Sequence, residues 1–333
     1  MMIDVYTHIL PPRYKEAFYK KLPDNSYAQR LVDAFPALTD LDIRFRIMDK
    51  YEGLVQVLTL ATPPVEDVVG PKDAVELAKI ANDGMAELIS KYPDRFMAAI
   101  ACLPMNDIDA TLREVDRAIT QLRFRGVQIF SDVNGKPLDS PEFIPLYEKM
   151  SRYNLPILLH PRRANTIPDY PHENESKYMA FLMFGWPYET TLAMTRLVYG
   201  GIFEKYPNLK IITHHCGAMV PYFAERIRTV SDSNEPFMGY YKGGQCLTKH
   251  PLDYYRSFYG DTAVSGSTPA LMCGYAFFGT DHMLFGTDMP YDGRHGDRFT
   301  RQTILSIKEM DIPDSDKRKI FEANAKQLMR LPI

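Results

Sequence analysis

Short apolar runs recur along the whole chain, and longer stretches with helical periodicity separate them. Runs such as 54–60 and 209–213 are continuously aliphatic or β-branched, which is typical of strands buried on both faces of a sheet. Residues 72–91 instead place apolar side chains at three- and four-residue steps, which predicts an amphipathic helix. The runs that predict strands lie at about residues 2–6, 54–60, 96–103, 126–130, 155–159, 209–213, 257–260 and 282–286.

Most of these eight predicted strands are followed by a predicted helix. This alternation indicates an α/β fold and, by its count, a (β/α)8 or TIM barrel. An open, doubly wound sheet is the alternative, and it is weakened because no glycine-rich phosphate turn follows the first strand. Neither a low-complexity linker nor a shift in composition divides residues 1–333, so we expect a single barrel domain.

Three stretches interrupt the alternation and are predicted to be insertions into the barrel, at about residues 11–50, 161–188 and 231–251. The second insertion contains four prolines and several aromatic residues, among them Trp186. Its length and composition do not suit a simple connection, and long loops of this kind commonly carry function. We therefore expect residues 161–188 to form a lid or a pocket wall.

Composition and charge exclude several functional classes. The 333 residues are 45% apolar and 24% charged, as in ordinary globular enzymes. A net charge of −3 without a long basic run argues against a nucleic-acid partner, and no apolar stretch is long enough to span a membrane. The four cysteines are scattered and form no CxxC pair, which indicates reduced thiols and a cytoplasmic location.

Four predicted strands end in residues that can bind a metal or transfer protons. His8 follows the first strand, His160 the fifth, His214 and His215 the sixth, and Asp288 the eighth. Taken singly, these residues have ordinary interpretations, such as a loop donor or a helix cap. In a parallel barrel, however, the carboxyl ends of the strands meet at one rim. Their joint occurrence at strand ends favours a metal site or an acid–base site.

The same strand ends lie in motifs that resemble those of the amidohydrolase superfamily. The similarity is to its decarboxylase branch, which includes aminocarboxymuconate semialdehyde decarboxylase and the hydroxybenzoate decarboxylases. The resemblance implies a distorted TIM barrel of the metal-dependent hydrolase type with one divalent ion, zinc first and manganese second. The matching segments are DVYTHILP at 4–11, RIMD at 46–49, LHP at 159–161, ITHHCG at 212–217 and LFGTDMP at 284–290.

Residue by residue, the resemblance implies that His8, His160 and Asp288 are metal ligands. It also implies that Asp288 transfers protons and that His215 is the catalytic histidine. His214 falls where the family usually has a small residue, so the resemblance gives it no role.

The first strand departs from the family pattern at Tyr6. The family usually has a histidine or a glutamate two residues before the position that matches His8. A neutral phenol with a pKa near 10 is a poor metal ligand compared with an imidazole or a carboxylate. Either Tyr6 coordinates the ion unusually, or it stays protonated and donates a hydrogen bond to the substrate while the ion keeps three protein ligands.

The resemblance also predicts the reaction and its partners. We expect a metal-dependent carboxy-lyase for a small aromatic or unsaturated acid; hydrolysis of an amide, lactone or β-keto bond is the first alternative. A catalytically inactive barrel is a second alternative, and only Tyr6 favours it. Some relatives take the arginine that matches Arg226 from a neighbouring subunit, so we expect a homodimer or a larger even assembly. The candidate substrate-binding residues are Tyr6, Arg46, Arg162, Arg226 and Trp186, because guanidinium groups suit carboxylates and aromatic rings suit an aromatic substrate.

Overall fold

The computed structural model describes residues 1–24, 26–232 and 247–331. Eight parallel strands alternate with helices along the chain, as the hydrophobic pattern predicts. The strands are β1 (Met2–Ile9), β2 (Leu54–Leu60), β3 (Phe96–Ala99), β4 (Val127–Phe130), β5 (Ile157–His160), β6 (Ile211–Thr213), β7 (Tyr259–Asp261) and β8 (Met283–Leu284).

The strands run in sequence order around a barrel. Hydrogen bonds join β1, β2 and β3 in one sheet and β4, β5, β6, β7 and β8 in another. Two isolated parallel bridges, Thr7 with Met289 and Ala101 with Val127, connect the sheets at both edges. The predicted distorted TIM barrel is therefore confirmed.

Helices surround the strands, and several begin at capping residues. Asp107 is one of these N-cap residues, and its carboxylate accepts the N–H of Ala110 at 2.9 Å. Within the described ranges, no helix combines the length and the apolar character needed to cross a membrane. The helices are α1 (Pro12–Tyr19), α2 (Tyr27–Ala34), α3 (Leu41–Met48), α4 (Val65–Val68), α5 (Pro71–Lys91), α6 (Ile108–Thr120), α7 (Ile144–Tyr153), α8 (Trp186–Tyr199), α9 (Ile202–Lys205), α10 (Ala224–Asp232), α11 (Pro251–Tyr255), α12 (Thr268–Phe278), α13 (Asp297–Glu309), α14 (Asp314–Arg318) and α15 (Asn324–Met329).

The predicted insertions differ in form. Residues 11–50 contain α1, α2 and α3, whereas residues 161–180 are irregular and lead into a π-helical turn, Phe181–Gly185, before α8. Most of the insertion predicted at 231–251 lies outside the described residues.

Along the strands, the buried side chains inside the barrel change from apolar to polar toward the carboxyl end. Ile3 and Val5 in β1 and Leu158 in β5 are fully buried among other aliphatic side chains. Further along the same strands, His8 and His160 are equally buried although they are polar. The chemistry-bearing side chains thus lie at the carboxyl ends of the strands, where this fold places its active sites.

Candidate active site

Three histidines from different strands meet at the carboxyl end of the barrel. His8 belongs to β1, His160 is the last residue of β5, and His214 directly follows β6. One ring nitrogen of each lies within 4.8 Å of the others. All three side chains are almost completely buried.

Asp288, which follows β8, completes the cluster. One of its carboxylate oxygens, Oδ1, lies 3.2 Å from Nε2 of His8 and 3.3 Å from Nε2 of His214. Neither nitrogen makes a hydrogen bond with a described residue. Buried nitrogen and carboxylate donors that converge in this way, without bonding one another, fit a divalent cation.

The second ring nitrogen of each histidine has its own hydrogen-bond partner. Such contacts are usual behind metal-binding histidines, because they fix the tautomer and the orientation of the ring. The partners are Thr59 Oγ1 at 3.1 Å and Leu60 O at 3.3 Å for Nδ1 of His8, Pro161 O at 2.7 Å for Nδ1 of His160, and the carboxylate of Asp261 for Nδ1 of His214.

The cluster is electrostatically coupled. Burial acts to raise the pKa of Asp288, but the charge of His214 and the close approach of the neighbouring histidine rings hold it well below its usual range. Burial acts to lower the pKa of His214, but the charges of Asp261 and Asp288 raise it to about 10. Burial, together with the neighbouring charge of His214, lowers the pKa of His160 and of His215. Asp288 is therefore an ionised carboxylate, and His160 and His215 are neutral imidazoles at neutral pH.

A left-handed turn separates His214 from His215. Residues 215–218 all have positive φ angles, of 57°, 55°, 73° and 54°, although only Gly217 lacks a Cβ atom. The conformation costs roughly 1–2 kcal/mol for each non-glycine residue. It leaves His214 buried in the cluster, whereas the side chain of His215 is 23% exposed and lines a cavity, with Nε2 3.9 Å from Oδ2 of Asp288.

That cavity, of about 660 Å³, lies directly in front of the cluster and is walled mainly by apolar side chains. The irregular segment after β5 forms one side of it. Trp186 donates its indole N–H to the carbonyl of Arg163 at 3.2 Å, and its ring lies 5.5 Å from that of His160. The apolar wall includes Phe35, Phe130, Phe181, Leu182, Met183, Trp186 and Phe299.

Both arginines that line the cavity are already paired with carboxylates. Arg162 donates to Asp67 at 2.6 Å and to Asp132 at 2.8 Å. Arg163 donates to Glu189 at 2.7 Å. Of the described residues that line this cavity, no others are lysine or arginine.

Two candidate substrate-binding arginines do not reach this cavity. Arg46 on α3 and Arg226 on α10 are exposed, and neither lines it. Arg44, two residues before Arg46, is the buried guanidinium of α3. It donates to Gln56 Oε1 at 2.7 Å and to the carbonyl of His8, so it supports β1 and does not contact the cavity.

Tyr6 is fully buried beneath the cluster and does not line the cavity. Its ring stacks on that of His214, with centroids 3.9 Å apart. Burial, followed by the charges of Asp261 and Asp288, raises the pKa of Tyr6 well above its usual value. Tyr6 is therefore a protonated phenol.

Comparison with known proteins identifies the family. A sequence model of the amidohydrolase family matches residues 3–331. This chain belongs to the amidohydrolase family. The amidohydrolase is 31% identical to gamma-resorcylate decarboxylase of Polaromonas sp. strain JS666, over 87% of each chain. It is 28% identical to 2-amino-3-carboxymuconate-6-semialdehyde decarboxylase of Dictyostelium discoideum, over 99% of this chain and 92% of that protein.

A solved structure supports the same assignment. It is the dihydroxybenzoic acid decarboxylase of Polaromonas sp. JS666, with bound manganese and the inhibitor 2-nitroresorcinol. The amidohydrolase described here aligns with it at a TM-score of 0.79 and 26% identity, over 99% of this chain and 96% of that one. The predicted membership of the decarboxylase branch is thus confirmed, the protein is an enzyme, and the His–Asp cluster and the family together support a divalent metal.

Sequence reasoning gave no role to His214 or Asp261. The signal for Asp261 was present, since it ends an apolar run in the same way as the other site residues. For His214, the signal in the sequence was a second histidine directly before His215. The resemblance to the family explains only His215, so His214 needed an explanation of its own.

Proposed function

We propose that this amidohydrolase is a metal-dependent carboxy-lyase that removes carbon dioxide from a small aromatic or unsaturated carboxylic acid. The observation that carries the proposal is the convergence of His8, His160 and Asp288 at one end of an aromatic-walled cavity. The decarboxylases among its relatives support the same reaction.

We propose that His8, His160 and Asp288 hold the divalent ion, with zinc as the first choice because imidazole nitrogen suits it. Manganese is the second choice, supported by the manganese in the Polaromonas structure. When bound, the ion would supply Lewis-acid chemistry and would help to orient the substrate.

The proton steps fall to the residues around the ion. Asp288 is ionised, so it first accepts the proton of a substrate hydroxyl next to the carboxylate. It then returns that proton to the ring carbon, where ring electrons form the new C–H bond. The C–C bond to the carboxylate breaks, its electron pair returns to the ring, and carbon dioxide leaves. The neutral imidazole of His215 lies at the cavity edge, where it can donate a hydrogen bond to the developing charge.

The cavity wall favours a substrate with a single carboxylate and an apolar body. Trp186 would pack against the ring of the substrate. The guanidinium of Arg162 gives Nε and Nη1 to Asp67 and Asp132, so only Nη2 remains for a polar substituent. A second carboxylate would enter an apolar pocket without an unpaired cation, which is costly.

A panel of hydroxybenzoates and muconate-type acids, with and without a second carboxylate, tests the proposal through carbon dioxide release. We expect kcat/KM for the monocarboxylic hydroxybenzoates to exceed that for the matched dicarboxylic acids by at least about tenfold, a difference of about 1.4 kcal/mol. Turnover of an amide or lactone to a new acid, with no carbon dioxide from any acid of the panel, would instead establish the hydrolase.

We also propose a homodimer. Large apolar side chains are exposed on the segment that leads into α8 and on the loop after β6, among them Tyr178 (90% exposed), Phe184 (67%) and Tyr222 (79%). The loop after β6 lies against α8, because the N–H of Met219 donates to Thr191 of that helix at 3.1 Å. Apolar surface of this extent commonly marks a protein interface. Arg226 lies on α10 beside this loop, which suits a role at the interface.

Light scattering at micromolar concentration should return about twice the chain mass of 38.2 kDa. Replacing Phe184 by glutamate should lower the mass toward that of one chain, whereas the same change at Leu305, an exposed residue of α13, should not. A parent protein with a mass of 38.2 kDa would contradict the dimer.

We further propose that residues 1–333 form one domain located in the cytoplasm. The family match over residues 3–331 supports the first point. The free thiols of Cys102, Cys216 and Cys273 support the second.

A further inference from the structure

We propose that His214 is itself a ligand of the divalent ion and that Asp261 holds it in that role. The assignment rests on the metal site of the proposed function and adds a fourth protein ligand to it. It gives the ion three imidazole nitrogens, from His8, His160 and His214, and one carboxylate, from Asp288. Tyr6 then acts as a positioning residue and not as a ligand.

The first step is the position of the ring of His214 relative to Asp288. Its Nε2 lies 3.3 Å from Oδ1 of Asp288, almost the same as the 3.2 Å for His8. Like Nε2 of His8, it is buried and makes no hydrogen bond with any residue that the structure describes. His215 differs on each count, because its ring is partly exposed and its Nε2 lies 3.9 Å from the other oxygen, Oδ2.

The second step is the support behind the ring. Nδ1 of His214 bonds to Oδ2 of Asp261, and Oδ1 of Asp261 accepts the N–H of Cys216 at 3.2 Å and the N–H of Ala263 at 3.0 Å. The carboxylate is fully buried and held on both oxygens. A carboxylate fixed in this way behind an imidazole is the usual arrangement at metal-binding histidines.

The third step concerns Tyr6. Its ring is nearly parallel to that of His214, at 15°, with the centroids 3.9 Å apart, so it restricts the imidazole to one plane. A Cβ atom at Gly286 would lie 3.1 Å from Cβ of Asp261 and 3.2 Å from Cβ of Tyr6. Glycine at this position therefore lets the two supports of His214 approach the same ring from different sides.

Metal binding, and not activity, is the first measurement. His214→Gln keeps a polar side chain of similar length, and His215→Asn is the matched neighbour. We expect His214→Gln to weaken binding of zinc, measured by chelator competition, by at least about 10²-fold, the upper end of the effect of losing a supporting contact. Asp261→Asn should weaken it by about 10–100-fold. His215→Asn should bind zinc as the parent does.

The cobalt-substituted proteins give a second readout that a merely structural role would not change. The visible spectrum of bound cobalt should differ from the parent in His214→Gln and match it in His215→Asn. Circular dichroism and melting of the metal-free proteins will show whether each variant is folded. If His214→Gln is not folded, the zinc affinities of Asp261→Asn and His215→Asn test the assignment instead. Weaker binding in Asp261→Asn alone supports it, and equal binding in both variants contradicts it.

A relocated histidine provides a rescue. Residues 6 and 8 of β1 lie on the same face of the strand, so a histidine at position 6 would face the cluster. The double variant Tyr6→His/His214→Gln should recover zinc affinity to within about tenfold of the parent, and Tyr6→Phe should retain the metal. Parental affinity and an unchanged cobalt spectrum in His214→Gln would overturn the assignment, as would loss of the metal in Tyr6→Phe.

The two proposals can fail separately. If the zinc affinities follow the expected order but no acid releases carbon dioxide, the carboxy-lyase is wrong and His214 remains a ligand. If carbon dioxide is released but His214→Gln binds zinc as tightly as the parent, the ligand assignment is wrong and the reaction remains.

Discussion

Replacing His160 by alanine is expected to release the divalent ion and to lower carbon dioxide formation by at least about 10³-fold. The imidazole is buried at the end of β5 and its Nδ1 bonds to the carbonyl of Pro161, so its removal takes one fixed imidazole from the cluster. Stabilisation of the transition-state charge by a metal ion is worth several kcal/mol. A loss of about 4 kcal/mol of that stabilisation lowers the rate by about 10³-fold. Elemental analysis and carbon dioxide release measure the two effects.

His282→Ala is the matched control. This histidine is partly buried, bonds the carbonyl of Phe258 at 3.0 Å and stacks on Tyr259, but it does not line the cavity. Its loss should cost stability and leave metal content and kcat near those of the parent. Full metal content and activity in His160→Ala would mean that the ion is bound elsewhere.

Replacing Asp288 by asparagine is expected to lower kcat by about 10²–10⁴-fold, the range for a positioned acid–base group. Asparagine retains an oxygen toward His8 and His214 but cannot accept the proton of the substrate. The loss should therefore appear in kcat of the protein saturated with metal, which separates it from the loss of metal in His160→Ala.

Asp292→Asn controls for the removal of a nearby buried carboxylate. Asp292 accepts the backbone N–H of Arg294 at 2.6 Å and that of Phe299 at 2.7 Å, so it organises the loop before α13. We expect a lower melting temperature with kcat close to the parent. Equal kcat values for Asp288→Asn and Asp292→Asn would show that Asp288 does not transfer the proton.

The fold and most of the site could be predicted from the sequence because both depend on local patterns. Aliphatic runs marked the strands, and a histidine or aspartate at the end of a run marked the rim of the barrel, as for His8 and Asp288. No tertiary contact was needed to place these residues at strand ends.

The arginines show where this reasoning stops. Arg44 and Arg46 are two positions apart on a helix, about 200° around its axis, so only one of them can face the barrel. The sequence motif singled out Arg46, whereas the packing of α3 buries Arg44. Which side of an amphipathic helix faces inward is fixed by its neighbours, and α3 carries apolar and charged residues on both sides.

The adjacent histidines show a second limit. In a strand, neighbours point to opposite faces, so His214 and His215 could not both be assigned from a periodic pattern. The left-handed turn over residues 215–218 decides their directions, and three of its four residues are not glycine. Non-glycine residues adopt such angles in only a few per cent of cases, so the sequence gives no warning of the turn.

The pairing of Arg162 and Arg163 has a consequence for how fast a substrate arrives. These two positive charges stand against the three carboxylates that pair with them, so the salt bridges of the cavity wall supply no excess positive charge. Electrostatic steering requires an excess of attractive charge in the cleft. An anionic substrate should therefore associate at a rate that changes little with ionic strength, and the enzyme should discriminate among acids by how long each one stays bound.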